Sequence, residues 1–407
     1  MIKFASVGSI TLTAVVISIG CSKSEWPRRT KLNEQQVREL NQIAAINQHG
    51  DQIEAASFRG ETWNIGAVEW DSSIMPLISP DGRFIASSIG AAPSNATRLA
   101  LPGARIPEST AVQIWEILPG QAGVRSIKQL PAPLLLGDSA DDEGFLVEAP
   151  QNGGARWIGK VDWRTGDLNW LVKDNQVNAL ASLGASGRLA WCTRPSGSDA
   201  FDLAVRFPNG AQFKVPASGS EWLLPEWSKR SNMLYVWRLN PSGLLQLVAM
   251  DGESPTTLAG EAKQISIMAG ATRFDPFRAT ANRSNVHGLT PPFVEEIVFY
   301  DPANQCMAVW MPTGINSYRT LLLANSSISA AHDHQGNFLL TMPEGLHWQD
   351  TSDLRMIVRI NHQPLFARRT TDPMRPFLLL DPGQHVVRIR GMRPSKPDPA
   401  ETNAAAK

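Results

Sequence analysis

Residues 222–260 read WLLPEWSKRSNMLYVWRLNPSGLLQLVAMDGESPTTLAG, four short apolar runs separated by polar turns. Trp222 to Trp227 and Met233 to Trp237 flank the polar stretch Ser228 to Asn232, which predicts two strands and a turn. Leu244 to Met250 supplies a third strand, Asp251-Gly252 a second turn, and a last short run ends at Leu258. Asp-Gly between apolar runs predicts a tight hairpin, because both central residues of that turn need positive φ and glycine adopts it without a Cβ clash.

Four consecutive antiparallel strands in about 40 residues make one blade of a β-propeller. The rest of the chain can be laid against that unit. First turns fall near Gly82, Gly144, Gly187, Asn232, Ser284 and Gly336. Second turns fall near Gly120, Thr165-Gly166, Asn209-Gly210, Asp251-Gly252, Pro302-Ala303 and Asn361-His362. Successive second turns stand about 43 to 59 residues apart, inside or close to the spacing of propeller repeats, which predicts six blades, with seven as the alternative. One blade cannot bury both of its faces, so blades stack into a ring.

The anchor unit resembles the repeat of the TolB-like (WD40-like, PD40-type) propellers, in which an apolar-Trp-Ser-Pro-Asp-Gly-Lys stretch precedes a hydrophobic run. Ile78-Ser79-Pro80-Asp81-Gly82-Arg83-Phe84-Ile85-Ala86 carries that Ser-Pro-Asp-Gly turn intact, whereas Ser228 to Asn232 replaces it in the anchor unit. The resemblance implies an all-β propeller and, weakly, a binding role, since a fold does not carry a function.

The 407 residues are 43% apolar, and 38 basic residues balance 38 acidic ones. That balance argues against a nucleic-acid partner, which selects for a basic face. Thirteen Trp stand against three Tyr, and Trp115, Trp157, Trp163, Trp170, Trp191, Trp227, Trp237 and Trp310 fall in or beside the expected strands, where core packing is the expected role.

At the N-terminus, Lys3 precedes the apolar stretch Val7 to Ile19, too short for a spanning helix, so residues 1–20 read as a secretory signal. Ser18-Ile19-Gly20-Cys21 is similar to the lipobox of bacterial lipoproteins, although Ser18 stands where that family prefers Leu. The resemblance implies cleavage before Cys21 and its acylation, with several acyl chains holding the protein on a membrane as one chain does not. Ordinary secretion or an uncleaved anchor is the alternative. The implied location is extracytoplasmic, on the periplasmic face or the cell surface.

Residues 21–50 then form a tether and a short helix over Lys31 to Gln48, with Asn33 and Gln36 as a capping-box start and Val37, Leu40, Ile43 and Ala44 on one face. The propeller occupies 51–352. Within it, Thr62 to Trp70 is a strand placed to complete the final blade and cover its edge. Gln264 to Met268 is the expected first strand of blade five. Residues 353–393 are either the outer strands of the last blade or a small module resembling the PEGA-like β domains, and 394–407 is a polar tail. The long Ser88 to Glu108 excursion is the candidate partner-contacting loop.

Candidate chemistry is sparse. His332-Asp333-His334, with His347 and Asp350, has the residue types of a zinc site but falls in an expected polar turn. Asp138, Asp141, Asp142 and Glu143 could offer oxygens to calcium, without the spacing of a calcium loop. Cys192 and Cys306 fall in different, non-adjacent blades and are expected as buried thiols. Neither a nucleophile elbow nor a phosphate-cradling glycine loop is found, so no catalytic residue, metal or cofactor is assigned. Two functions remain open. One is a binding or scaffolding protein, holding an envelope protein or a cell-wall component; the other is an enzyme of the lyase or glycoside hydrolase type with its site in the central funnel.

Overall fold

The computed structural model describes residues 60–70, 74–90, 106–119, 123–228, 232–259, 265–271, 297–301, 306–314, 317–325, 329–332, 338–342, 345–349, 354–359, 366–382 and 385–394. The expected signal, Cys21, the 31–48 helix and residues 395–407 lie outside them.

The first described strand, β1 (Gly60–Glu69), precedes a run of antiparallel meanders. β2 (Leu77–Ile78), β3 (Phe84–Ile89), β4 (Ala111–Ile117) and β5 (Val124–Gln129) form one sheet in chain order. Next come β6 (Leu135–Ala140), β7 (Gly144–Pro150), β8 (Arg156–Asp162) and β9 (Leu168–Val172), then β10 (Gln176–Leu183), β11 (Leu189–Pro195), β12 (Asp202–Arg206) and β13 (Gln212–Val215). A parallel bridge between Val177 and Arg156 joins these two meanders into one eight-stranded sheet.

The fourth meander holds β14 (Glu221–Trp227), β15 (Met233–Leu239), β16 (Leu245–Asp251) and β17 (Ile265–Ala271), with the short helix α1 (Pro255–Ala259) between the last two. β18 (Ile297–Asp301), β19 (Cys306–Gly314) and β20 (Ser317–Asn325) form the fifth group. β21 (Ser329–His332), β22 (Phe338–Met342), β23 (Gly345–Gln349) and β24 (Leu354–Arg359) form the sixth. β25 (Phe366–Arg369), β26 (Phe377–Pro382) and β27 (Val386–Pro394) form the last, and β1 pairs antiparallel with β27 as its fourth strand. The fold is an all-β propeller. Where turn spacing counts six units, the described strands fall into seven successive groups.

Buried apolar side chains of neighbouring meanders meet along the seams between them. Phe84, Ile114, Phe145, Val147, Val161 and Trp163 fill the seam between the first and second meanders, with Trp163 tilted against Phe145 at 4.6 Å between ring centroids. Leu146, Ile158, Leu183, Leu189 and Trp191 fill the next seam. Ile65, Val68, Ile85, Trp115, Leu380 and Ile389 join the last sheet to the first. The Ser79-Pro80-Asp81-Gly82 turn takes part in that closure. The Ser79 hydroxyl donates to Asp81 at 2.6 Å and accepts the Phe84 N–H at 2.9 Å, while Thr371 N–H donates to the Pro80 carbonyl at 2.8 Å.

Two sequence expectations are corrected. Asp251-Gly252 does not close a tight hairpin: Leu258 lies at the end of α1, and the fourth strand of that meander is β17. Gly252 is needed for space, since a Cβ there would stand 2.4 Å from the Trp227 ring. The segment expected to open blade five, Gln264 to Met268, therefore overlaps β17 and closes the fourth meander instead. From that point the turn count slips. Asn361-His362 lies outside the described residues; β24 belongs to one sheet and β25 to β27 to the next, so the span 353–393 contributes strands to both.

Candidate functional site

The first strands of successive meanders lie side by side, β6 against β10 and β10 against β14, so their side chains are the candidates for the central funnel. Each of the three strands carries an irregularity at the same place: between Leu136 and Ala140, between Ala179 and Ser182, and between Leu223 and Glu226. Leu180 (φ 57) and Leu224 (φ 49) adopt the left-handed conformation there, at a cost of about 1–2 kcal/mol for a residue with a Cβ. For Leu180 the cost is offset by burial of the side chain and by donation of its N–H to Glu148 Oε1 at 2.8 Å.

The bulge turns hydroxyls toward the following sheet. Ser139 Oγ accepts the Leu183 N–H at 2.9 Å, and Ser182 Oγ accepts the Trp227 N–H at 3.0 Å. Ser182 also donates to Glu226 Oε2 at 3.4 Å. The second and third meanders thus present equivalent serines, and Glu226 takes the equivalent position in the fourth. These hydroxyls complete backbone amides that bulged strands leave without a ladder partner.

A second buried polar group lies between the second and third meanders. Glu148 and Arg156, with side chains 2% and 6% exposed, pair at 2.8 Å. Asn178 Nδ2 donates to the Arg156 carbonyl at 2.9 Å and to Asp174 Oδ1 at 2.7 Å, while its Oδ1 accepts Trp191 Nε1 at 2.9 Å and the Thr193 hydroxyl at 2.8 Å. Every atom of that carboxamide is engaged, so the cluster is a joint between sheets. Arg206 adds an outer tie by donating to the Leu171 carbonyl at 2.7 Å, and burial lowers its guanidinium pKa.

The acidic turn carries its own cation. Lys160 Nζ lies 2.8 Å from both Asp141 Oδ2 and Glu143 Oε2, and Asp141 Oδ1 accepts the N–H groups of Glu143 and Gly144 at 3.0 and 2.9 Å. Burial pulls the Lys160 pKa down, but the hydrogen bonds and charges of Asp141 and Glu143 outweigh it and hold the ammonium above its usual range. The Lys160 ammonium thus pairs with two of the four acidic side chains of this turn. His347 is buried on β23; His332 ends β21, while His334 and Asp350 lie outside the described residues. Among the described residues, no group of three or more His, Cys, Asp or Glu side chains converges. Cys192 and Cys306 are buried and form no disulfide, and Cys192 Sγ donates to the Trp222 carbonyl at 3.1 Å.

At the surface, Trp157 and Trp170 meet edge to face at 5.5 Å, with Lys173 Nζ 4.7 Å from the Trp157 ring. Both indoles are half-buried, and Trp170 lies over Gly159, where a Cβ would come within 3.1 Å of its ring. Nothing in the sequence distinguishes this pair from the core tryptophans. Of the candidate loop, the structure describes residues 88–90 and 106–108.

Solved structures with a likeness to this chain include the WD40 domain of coronin from Toxoplasma gondii, at 11% identity and TM-score 0.46, covering 86% of this chain and 90% of that one. TolB from Acinetobacter baumannii is similar at 13% identity and TM-score 0.38, over 78% and 65% of the two chains. A puromycin-hydrolyzing peptidase from Mycobacterium tuberculosis is similar at 18% identity and TM-score 0.36 over 57% of this chain, which spans only 35% of that peptidase. No family model and no curated protein matches the sequence.

Proposed function

We propose that this protein is an extracytoplasmic, lipid-anchored propeller that binds or scaffolds, holding an envelope protein or a cell-wall component on its loops. The observation that carries the reading is the use of the inner-strand hydroxyls. Ser139 and Ser182 each accept a backbone amide of the next sheet, so they serve as structural joints rather than as groups presented to a substrate. The apolar stretch Val7 to Ile19 followed by Gly20-Cys21 supports the anchor.

Cys21→Ser should move the protein from the membrane fraction to the soluble extracytoplasmic fraction, and unchanged partitioning would defeat the anchor. A pull-down from detergent-solubilised membranes, with residues 88–108 intact and then deleted, tests the binding role. A specific co-purifying envelope component lost on deletion supports it. Unaltered recovery of that component, or recovery of nothing from the intact chain, overturns the assignment of that loop as the contact.

A further inference from the structure

Two Asn-Gly pairs lie in exposed turns, Asn152-Gly153 after β7 and Asn209-Gly210 between β12 and β13. Such pairs are chemically labile, because glycine has no side chain to crowd its own nitrogen as that nitrogen approaches the asparagine carboxamide. By sequence the two pairs are equivalent; the fold separates them. Asn209 Oδ1 accepts the Ala211 N–H at 3.0 Å, and the Gly210 N–H donates to the Phe207 carbonyl at 2.9 Å. Electrophile and nucleophile are both held there by other partners.

The Asn152 carboxamide makes no hydrogen bond among the described residues. It opens the single-turn helix Asn152–Gly154, in which Gly153 has φ 76 and ψ 10, and a Cβ on Gly153 would meet nothing within 4 Å. The turn is therefore open around the reacting atoms, and its side chain is free to swing toward the next backbone nitrogen.

We propose that Asn152 is a site of spontaneous deamidation in the folded protein and reacts ahead of Asn209. The Gly153 nitrogen loses its proton to solvent base and bonds to Asn152 Cγ. The bond from Cγ to the carboxamide nitrogen breaks, and that nitrogen leaves as ammonia. The resulting succinimide takes up one water and opens at either carbonyl, giving aspartate or isoaspartate, with no change of oxidation state. Either product adds one negative charge to a chain whose charges balance. The isoaspartate product also lengthens the backbone by one carbon. That displaces the Gly153 carbonyl, which accepts the Ser196 hydroxyl at 3.2 Å and so ties this turn to the one after β11.

The test is incubation of the purified full chain in mildly alkaline buffer, followed by peptide mapping with mass spectrometry and isoaspartate labelling. Conversion at Asn152 is expected to outrun that at Asn209 several-fold in the folded protein, and the two rates should converge in denaturant, where only sequence acts. Asn152→Gln should abolish the early acidic species on ion exchange, and Asn209→Gln should leave it. Equal rates in the folded protein, faster reaction at Asn209, or an intact Asn152 would each overturn the proposal.

Discussion

Gly252 shows how one residue can be read correctly as special and incorrectly as to why. Glycine after aspartate signals a turn through its access to positive φ, yet here its role is steric: the Trp227 ring occupies the space a Cβ would fill, and the Asn232 carbonyl lies 2.7 Å from the same point. Gly252→Ala should therefore destabilise the protein by about 1–3 kcal/mol, the usual range for overpacking a tight core, read as a lower urea midpoint. Glu221 gives a pH-dependent case. Burial raises its carboxyl above the usual 4.5, and the Arg194 charge partly opposes that shift. Because the folded state holds this proton more tightly than the unfolded chain, its contribution to stability is greatest below the ordinary glutamate value and falls as pH rises through the folded one. Glu221→Gln should thus raise the denaturation midpoint at neutral pH, and the gain should vanish in acid. Neither effect was readable from residue type, since both depend on which neighbours the fold supplies.

At the scale of elements, the meanders before Asp251 match the spacing of their turns closely, while those after it do not. The early turns, at Gly82, Gly144, Gly187 and Asn232, are short and bounded by apolar runs, so local chemistry marks them. After Asp251 a helical turn precedes the fourth strand, and a count based on regular spacing has no means of anticipating it. The inner-strand bulges were likewise hidden: Leu180 and Leu224 are apolar residues in apolar runs, and residue type gives no sign of their left-handed conformation. Glu148 belongs to the same scale, since it joins β7, β8 and β10. Glu148→Ala would leave Arg156 buried with its carboxylate partner removed and the Leu180 N–H without this acceptor. The expected loss is about 3–5 kcal/mol, the range for breaking a buried ion pair, measurable by equilibrium unfolding.

For the whole molecule, β1 is the decisive element. It pairs with β27, places Ile65 and Val68 in the core shared by the last and first sheets, and seats Trp63 against Gly391, where a Cβ would come within 2.3 Å of the indole. A chain beginning at Ile74 should lose this closure and expose the edge of β27. Lowered cooperativity in thermal unfolding and concentration-dependent association in light scattering are the expected outcomes. A strand over Thr62 to Trp70 able to complete the final sheet is legible in the sequence; its partner is not, because the two strands are separated by nearly the entire chain. Apolar runs, turn chemistry and the recurrence of the unit were enough to specify an all-β propeller, since runs and turns are set by neighbouring residues and the recurrence is read directly along the chain. The joints between sheets, the ammonium inside the acidic turn and the unequal lives of two Asn-Gly pairs were decided only in three dimensions. Each arises from groups that the chain brings together across distances over which local propensity has no influence.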